Sequence, residues 1–151
     1  APAAGGEAAE GKSETFGDWV LKCRAVEGGQ DCEISQTLIV QGQNSPIAML
    51  AFGRRKAGDP LRLAVQVPNN VSFAAQPKAS SPDGATIADL SYRRCLPSGC
   101  FADTVITDAQ LASFTKLRAP AALKFRDGSD REISLPLSIT GLAAAAAALP
   151  K

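Results

Sequence analysis

A chain of 151 residues, 45% hydrophobic and 21% charged with a formal charge of +1, has the make-up of one soluble globular domain with no global electrostatic pull toward nucleic acid. It contains no histidine, which excludes Ser-His-Asp and Cys-His catalysis, a Cys₂His₂ zinc site and a histidine pH switch. Its longest apolar run, residues 142–149, is mostly alanine and far short of the roughly 20 residues that span a bilayer as a helix.

Residues 1–14, rich in Ala, Gly and Glu without an apolar period, are expected to form a flexible tail ahead of a single domain over residues 15–151. The chain starts at "APAA" without an initiator Met, consistent with removal of a secretory signal or with artificial trimming. Residues 18–26 then alternate, placing Trp19, Leu21, Cys23 and Ala25 on one strand face, with Trp19 a core residue. A turn at 27–31 leads to a strand at 32–41, and a break at 41–46 to another at 47–52. Leu61, Leu63, Val65 and Val67 share a face of the next strand, and Pro68-Asn69-Asn70 separates it from a strand expected at 71–76.

Turn chemistry at 80–84 precedes strands at 86–95 and 100–106, paired as a hairpin around "LPSG". Thr107 and Gln110 form a capping-box pattern that starts a helix running to about Leu117, which Pro120 stops from extending. Strands at 121–126 and 131–140 flank the hairpin signal "DGSD", with Pro136 at an edge or bulge position. A short Ala-rich helix at 141–149 closes the chain, stable only if docked. The expectation is a mainly β protein: an antiparallel sandwich or barrel-like domain with one or two short helices.

Four cysteines allow three pairings. With a loop at 26–29, Cys23 and Cys32 become opposed residues of a hairpin, within disulfide reach. Cys95 and Cys100 bracket Leu96-Pro97-Ser98-Gly99, where Pro sets the second turn position and Gly accepts the positive φ that closes it. Local pairing, 23–32 and 95–100, therefore needs no special assumption. A redox dithiol usually shows Cys-x-x-Cys at a helix start, and a Cys₄ zinc site favours two closely spaced pairs; neither spacing is present, so structural disulfides are preferred and the other two readings stay as alternatives. Disulfides imply an oxidising compartment, which supports the reading of a removed secretory signal.

The densest cations, Arg54, Arg55 and Lys56 together with Arg93 and Arg94, are a candidate anion-binding patch; the plainer reading is a solvated edge that discourages sheet-to-sheet association. The aspartates sit at turns and element ends, where Asx-turns and caps explain them, and "DGSD" lacks the spaced ligands of a calcium loop. No metal, cofactor or catalytic residue is expected.

Taken in order, "FGDW" (residues 16–19), "CEISQ" (32–36), "RCLPSGCFAD" (94–103) and "LPLSITGL" (135–142) resemble the invasion-associated locus B family, across about residues 16–149. The resemblance implies secreted or periplasmic proteins of alphaproteobacteria, linked by name to host-cell invasion, with Cys23, Cys32, Cys95 and Cys100 as structural residues and no catalytic motif to carry over. One departure is Asn70, where the family commonly has glycine; Asn tolerates positive φ, so the turn should survive. The expected function is that of a non-enzymatic envelope protein that binds another protein or envelope component. The alternatives are a thiol redox protein using Cys95 and Cys100, or a small lipid- or glycan-binding module.

Overall fold

The computed structural model describes residues 11–27, 29–39, 46–54 and 58–149. Residues 1–10 of the expected tail and the expected break at 41–45 lie outside them. The strands are β1 (Gly11–Phe16), β2 (Trp19–Val26), β3 (Gly29–Ile39), β4 (Pro46–Arg54), β5 (Leu61–Val67), β6 (Lys78–Ser80), β7 (Thr86–Asp89), β8 (Ser91–Leu96), β9 (Gly99–Ile106), β10 (Ala121–Arg126) and β11 (Glu132–Leu137). Among the described residues two helices are present, α1 (Asp108–Thr115) between β9 and β10, and α2 (Leu142–Ala148) after β11. The strands form a seven-stranded sheet, β1-β2-β3-β4-β5-β9-β8, and a four-stranded sheet, β11-β10-β6-β7. Every pairing is antiparallel.

Alternation sets the faces. In β5, Leu61, Leu63, Val65 and Val67 are buried while Arg62 and Ala64 are exposed; in β10, Ala121, Leu123 and Phe125 are the buried set. The inner faces of both sheets share one core with Phe114 of α1 and with Leu142 and Ala145 of α2. An aromatic line joins the layers: Trp19 lies against Phe52 (centroids 5.7 Å), and Phe52 meets Phe114 edge-on at 5.3 Å. Pairs of this kind contribute about 0.5–1.5 kcal/mol beyond their buried area. Helix α1 starts with the expected reciprocal cap, in which Gln110 N–H donates to Thr107 Oγ1 and Thr107 N–H donates to Gln110 Oε1. Among the described residues, no helix is long and apolar enough to cross a membrane.

Several expectations are corrected. Residues 11–14, assigned to the tail, belong to β1, whose residues pair with β2 from Gly11↔Arg24 to Phe16↔Trp19. Backbone pairing at a sheet edge needs no apolar period, and Ser13, Glu14 and Thr15 stay exposed. Residues 71–76 form no strand: Val71 makes a single bridge to Asp127, and Ser72 Oγ turns back to accept from Ala74 N–H. The expected strand at 86–95 is two, because β7 and β8 belong to different sheets and Leu90 is buried at the crossing. Asn70 takes no positive φ; among the described residues the only non-glycine that does is Asp130, at 64°. Pro136 does sit on an edge strand, β11.

Two stretches of chain cross closely where Gly17 (φ 58°) meets Gly141 (φ 84°). A Cβ on Gly141 would strike the Phe16 carbonyl, and one on Gly17 the Thr140 carbonyl. Gly84 has a similar φ of 93° but open space around it. Gly84→Ala should therefore cost only the left-handed backbone penalty, about 1–2 kcal/mol. Gly141→Ala adds a backbone clash to that penalty, and its urea midpoint should fall clearly below that of Gly84→Ala.

Candidate functional site

The two cysteine pairs close two hairpins. Cys23 and Cys32 are directly opposed in the β2–β3 register, and Cys95 and Cys100 in β8–β9. Both pairs are bonded, with S–S distances of 2.08 and 1.99 Å, so none of the four thiols is free for a metal. Cys32 and Cys100 are fully buried, Cys23 is half-buried, and Cys95 is exposed at the end of the seven-stranded sheet. Pro97 and Ser98 form the turn that joins Leu96 to Gly99, and Gly99 has a φ of 144°. That turn is pinned from β5 and the loop after it: Gln66 Nε2 donates to the Ser98 carbonyl (2.9 Å) and Asn69 Nδ2 to that of Pro97 (3.3 Å). A side chain at Gly99 would press on the Val67 carbonyl at 2.6 Å. The hairpin is thus fixed by its bridge, its turn and its neighbour strand.

The structure separates the candidate cations. Arg55 and Lys56 lie outside the described residues. Arg54 faces inward opposite Cys32, with its side chain 12% exposed. It donates to the Asp59 carbonyl and pairs with Asp108 at 3.3 Å, beneath the start of α1. Arg93 and Arg94 lie three strands away on β8, where the register slips between Tyr92 and Arg94. Tyr92 opposes the buried Ala102 on the inner face, whereas Arg94 opposes Phe101 on the outer face. The extra residue, Arg93, reaches the outer-face carboxylate of Asp103 at 2.7 Å. The bulge therefore turns two consecutive arginines to the same side, where a regular strand would point them apart. Arg62 joins them at 4.0 Å from the same Asp103, and Arg94 has no ion-pair partner among the described residues.

Other features fill in the surroundings. Phe73 is 57% exposed and stacks on Tyr92 with centroids 4.9 Å apart. Burial raises the Tyr92 phenol above its ordinary pKa. Sequence reasoning missed this pair because it placed Phe73 in a strand; the signal was the Pro68-Asn69-Asn70 break just before it. An open depression of about 290 Å³ lies between α1 and α2, with Arg54 at one end and Leu111, Ala112, Ala143 and Ala147 along it. Another, of about 490 Å³, lies near the Ser98 turn beside Thr37, Met49, Gln66 and Pro68. Asp127 of "DGSD" is engaged locally, accepting from the N–H groups of Ser129 (2.9 Å) and Arg131 (3.0 Å) and pairing with the Arg131 guanidinium.

Three of the four sequence fragments singled out above meet at one point between the sheets. Trp19 Nε1 and Gln36 Nε2 both donate to the Ser138 carbonyl at 3.0 Å, and Asp18 accepts from Ser138 Oγ at 2.6 Å. The fourth fragment builds the β8–β9 hairpin. These features define a class: a two-sheet antiparallel β domain with two hairpin disulfides and a basic sheet edge. Residues 19–150 match the family described as Invasion associated locus B (IalB) protein, and the chain belongs to that family. Its fold is similar to the crystal structure of invasion associated protein B from Bartonella henselae, with a TM-score of 0.75 over 90% of this chain and 92% of that one at 19% identity. A search of curated proteins finds no match.

Two predictions concern these bonds. Replacing Cys95 and Cys100 together by Ser should lower stability by about 2 kcal/mol, from the loop entropy regained on unfolding, with the fold retained by circular dichroism. In the native protein, partial reduction followed by alkylation should label Cys95 and Cys100 before Cys23 and Cys32, because Cys95 is the one exposed residue of the four. The Arg131 N–H bond, chiefly, holds the Asp127 carboxyl below its ordinary pKa of 3.8, with Ser129 N–H and the Arg131 charge adding to it and burial opposing. A depressed folded-state pKa stabilises above the unfolded value and is lost as pH falls through the folded value. Asp127→Asn should therefore be less stable than the native chain at pH 7, and the gap should close as the pH falls below 3.8 in urea titrations.

Proposed function

We propose that this chain is a non-enzymatic binding module of the cell envelope, periplasmic or secreted, which recognises another protein or envelope component. The observation that carries the reading is the β8–β9 hairpin: a bridged, turn-pinned sheet edge that presents Arg93 and Arg94 together on one face. Rigid elements that display unspent charge are suited to recognition, since little ordering remains to be done on binding. Two disulfides support an oxidising compartment. Membership of a family named for invasion supports a role at the bacterial surface.

A second reading is favoured by one observation, the exposure of Cys95 at the edge of the sheet. In it the Cys95–Cys100 pair exchanges electrons with a partner dithiol. Catalysis of insulin reduction would support this reading, and a bridge that resists mild dithiol at neutral pH would remove it. The lipid- or glycan-binding reading rests only on the open depressions.

The binding reading is tested by placing a photo-reactive residue in turn at exposed positions of β8 and of the α1–α2 depression, in cells that export the protein. A discrete cross-linked product from at least one surface is expected. Absence of any product from every surface overturns the reading, and four free thiols in protein taken from cells overturn the compartment.

A further inference from the structure

The four sheet edges are treated differently. On β11, Pro136 removes one N–H from the ladder. On β7, α1 covers the edge: Gln110 Nε2 donates to the Ile87 carbonyl at 3.1 Å. On β1 the exposed side chains are Ser13, Glu14 and Thr15, a mixed polar set. On β8, Tyr92 N–H points away from β9 and donates to Gln76 Oε1 at 2.8 Å. Beyond it, among the described residues, no hydrogen bond reaches the outward backbone groups of Arg93–Leu96. This stretch is also where the bulge gathers two arginines on one face, with one carboxylate, Asp103, between them and Arg62.

We infer that the free edge of β8 receives an extended acidic segment of a partner protein as an added strand. The inference rests on the binding reading above and names its surface and partner chemistry. Backbone groups of the segment pair with Arg93–Leu96, and carboxylates on its outer face meet Arg93 and Arg94. Apolar contacts are available at both ends of the edge, from the exposed Phe73 stacked on Tyr92 and from Leu96, 46% exposed. The same charges choose the partner. Two copies of this chain joined through β8 would set arginines against arginines, whereas an acidic strand relieves the surplus of cations over Asp103. The disulfide and the pinned turn keep the edge extended before the segment arrives.

The test uses the oxidised full chain, isotope-labelled, titrated with a capped peptide of alternating threonine and glutamate, about eight residues long and so able to run the length of β8. Controls are the matching threonine–lysine peptide and dextran sulfate, a polyanion without a peptide backbone. The expected result is shift changes and slowed amide exchange at residues 91–96 with the acidic peptide alone, and affinity at least about threefold weaker in Arg94→Glu. Arg94 is exposed and makes no ion pair among the described residues, so that variant keeps the fold. The inference is overturned if the acidic peptide fails to bind, if exchange slows elsewhere but not on β8, if either control matches the peptide, or if Arg94→Glu binds as well as the native chain. Cross-linked products from other surfaces beside a silent β8 would leave the binding reading standing and remove this inference alone.

Discussion

The side-chain amide of Gln36 holds the backbone of Ser138 at both of its polar groups, accepting from the N–H at 2.9 Å and donating to the carbonyl at 3.0 Å. Gln36 lies on β3 among buried residues, and Ser138 follows the end of β11, so one side chain takes the place of a peptide group in a ladder between two sheets. The buried Gln36 amide is thereby satisfied at both of its ends, which removes the penalty of about 1–3 kcal/mol that an unpaired buried polar group carries. Trp19 adds a second donor to the same carbonyl and Asp18 secures the Ser138 hydroxyl. With Ser138 fixed, Asp18 N–H reaches the Thr140 carbonyl at 3.0 Å. Gly17 and Gly141 can then pass without side chains between them. Helix α2 starts from that crossing and lays Leu142 and Ala145 into the core, so the position of the last helix follows from a glutamine more than a hundred residues earlier.

Local features of this arrangement were legible in the sequence. The loop at 26–29 fixed which residues of β2 and β3 oppose, and Pro97 with Gly99 fixed the turn of β8–β9, so both disulfide registers followed from spacing. Thr107 and Gln110 announced α1 because a capping box acts within one turn of chain. What was not legible depends on distant partners. Nothing in the alternation of "CEISQ" distinguishes Gln36, which clamps Ser138, from a polar residue facing solvent. Strand β1 has no apolar alternation because it is held by backbone bonds to β2. The stretch 71–76 has that alternation, yet its Phe73 packs on Tyr92 at the surface. The break at Leu90 reflects a change of sheet, which a strand-length apolar pattern cannot express.

The candidate site was half visible. "YRR" could be read as a basic run, but the side each arginine takes depends on a bulge, and a bulge is set by the partner strand. The same uncertainty hid Arg54, which looks like part of a surface patch in sequence and is drawn inward by its place opposite Cys32. The division that results is physical. Interior polar groups spend their bonds on holding the sheets together, while β8 keeps charge and backbone free.

The two disulfides join residues only 9 and 5 positions apart, whereas Gln36 and Ser138 are 102 apart. Closing a short loop is fast and entropically cheap, and closing a long one is slow. Each cysteine therefore has its native partner within its own hairpin, within reach without the distant ends of the chain meeting. Native pairing needs no long-range contact to be in place first, which leaves little opportunity for scrambled pairs. The meeting of the Phe16–Trp19 segment and Gln36 with Ser138–Gly141 is a long-range closure that neither disulfide shortens.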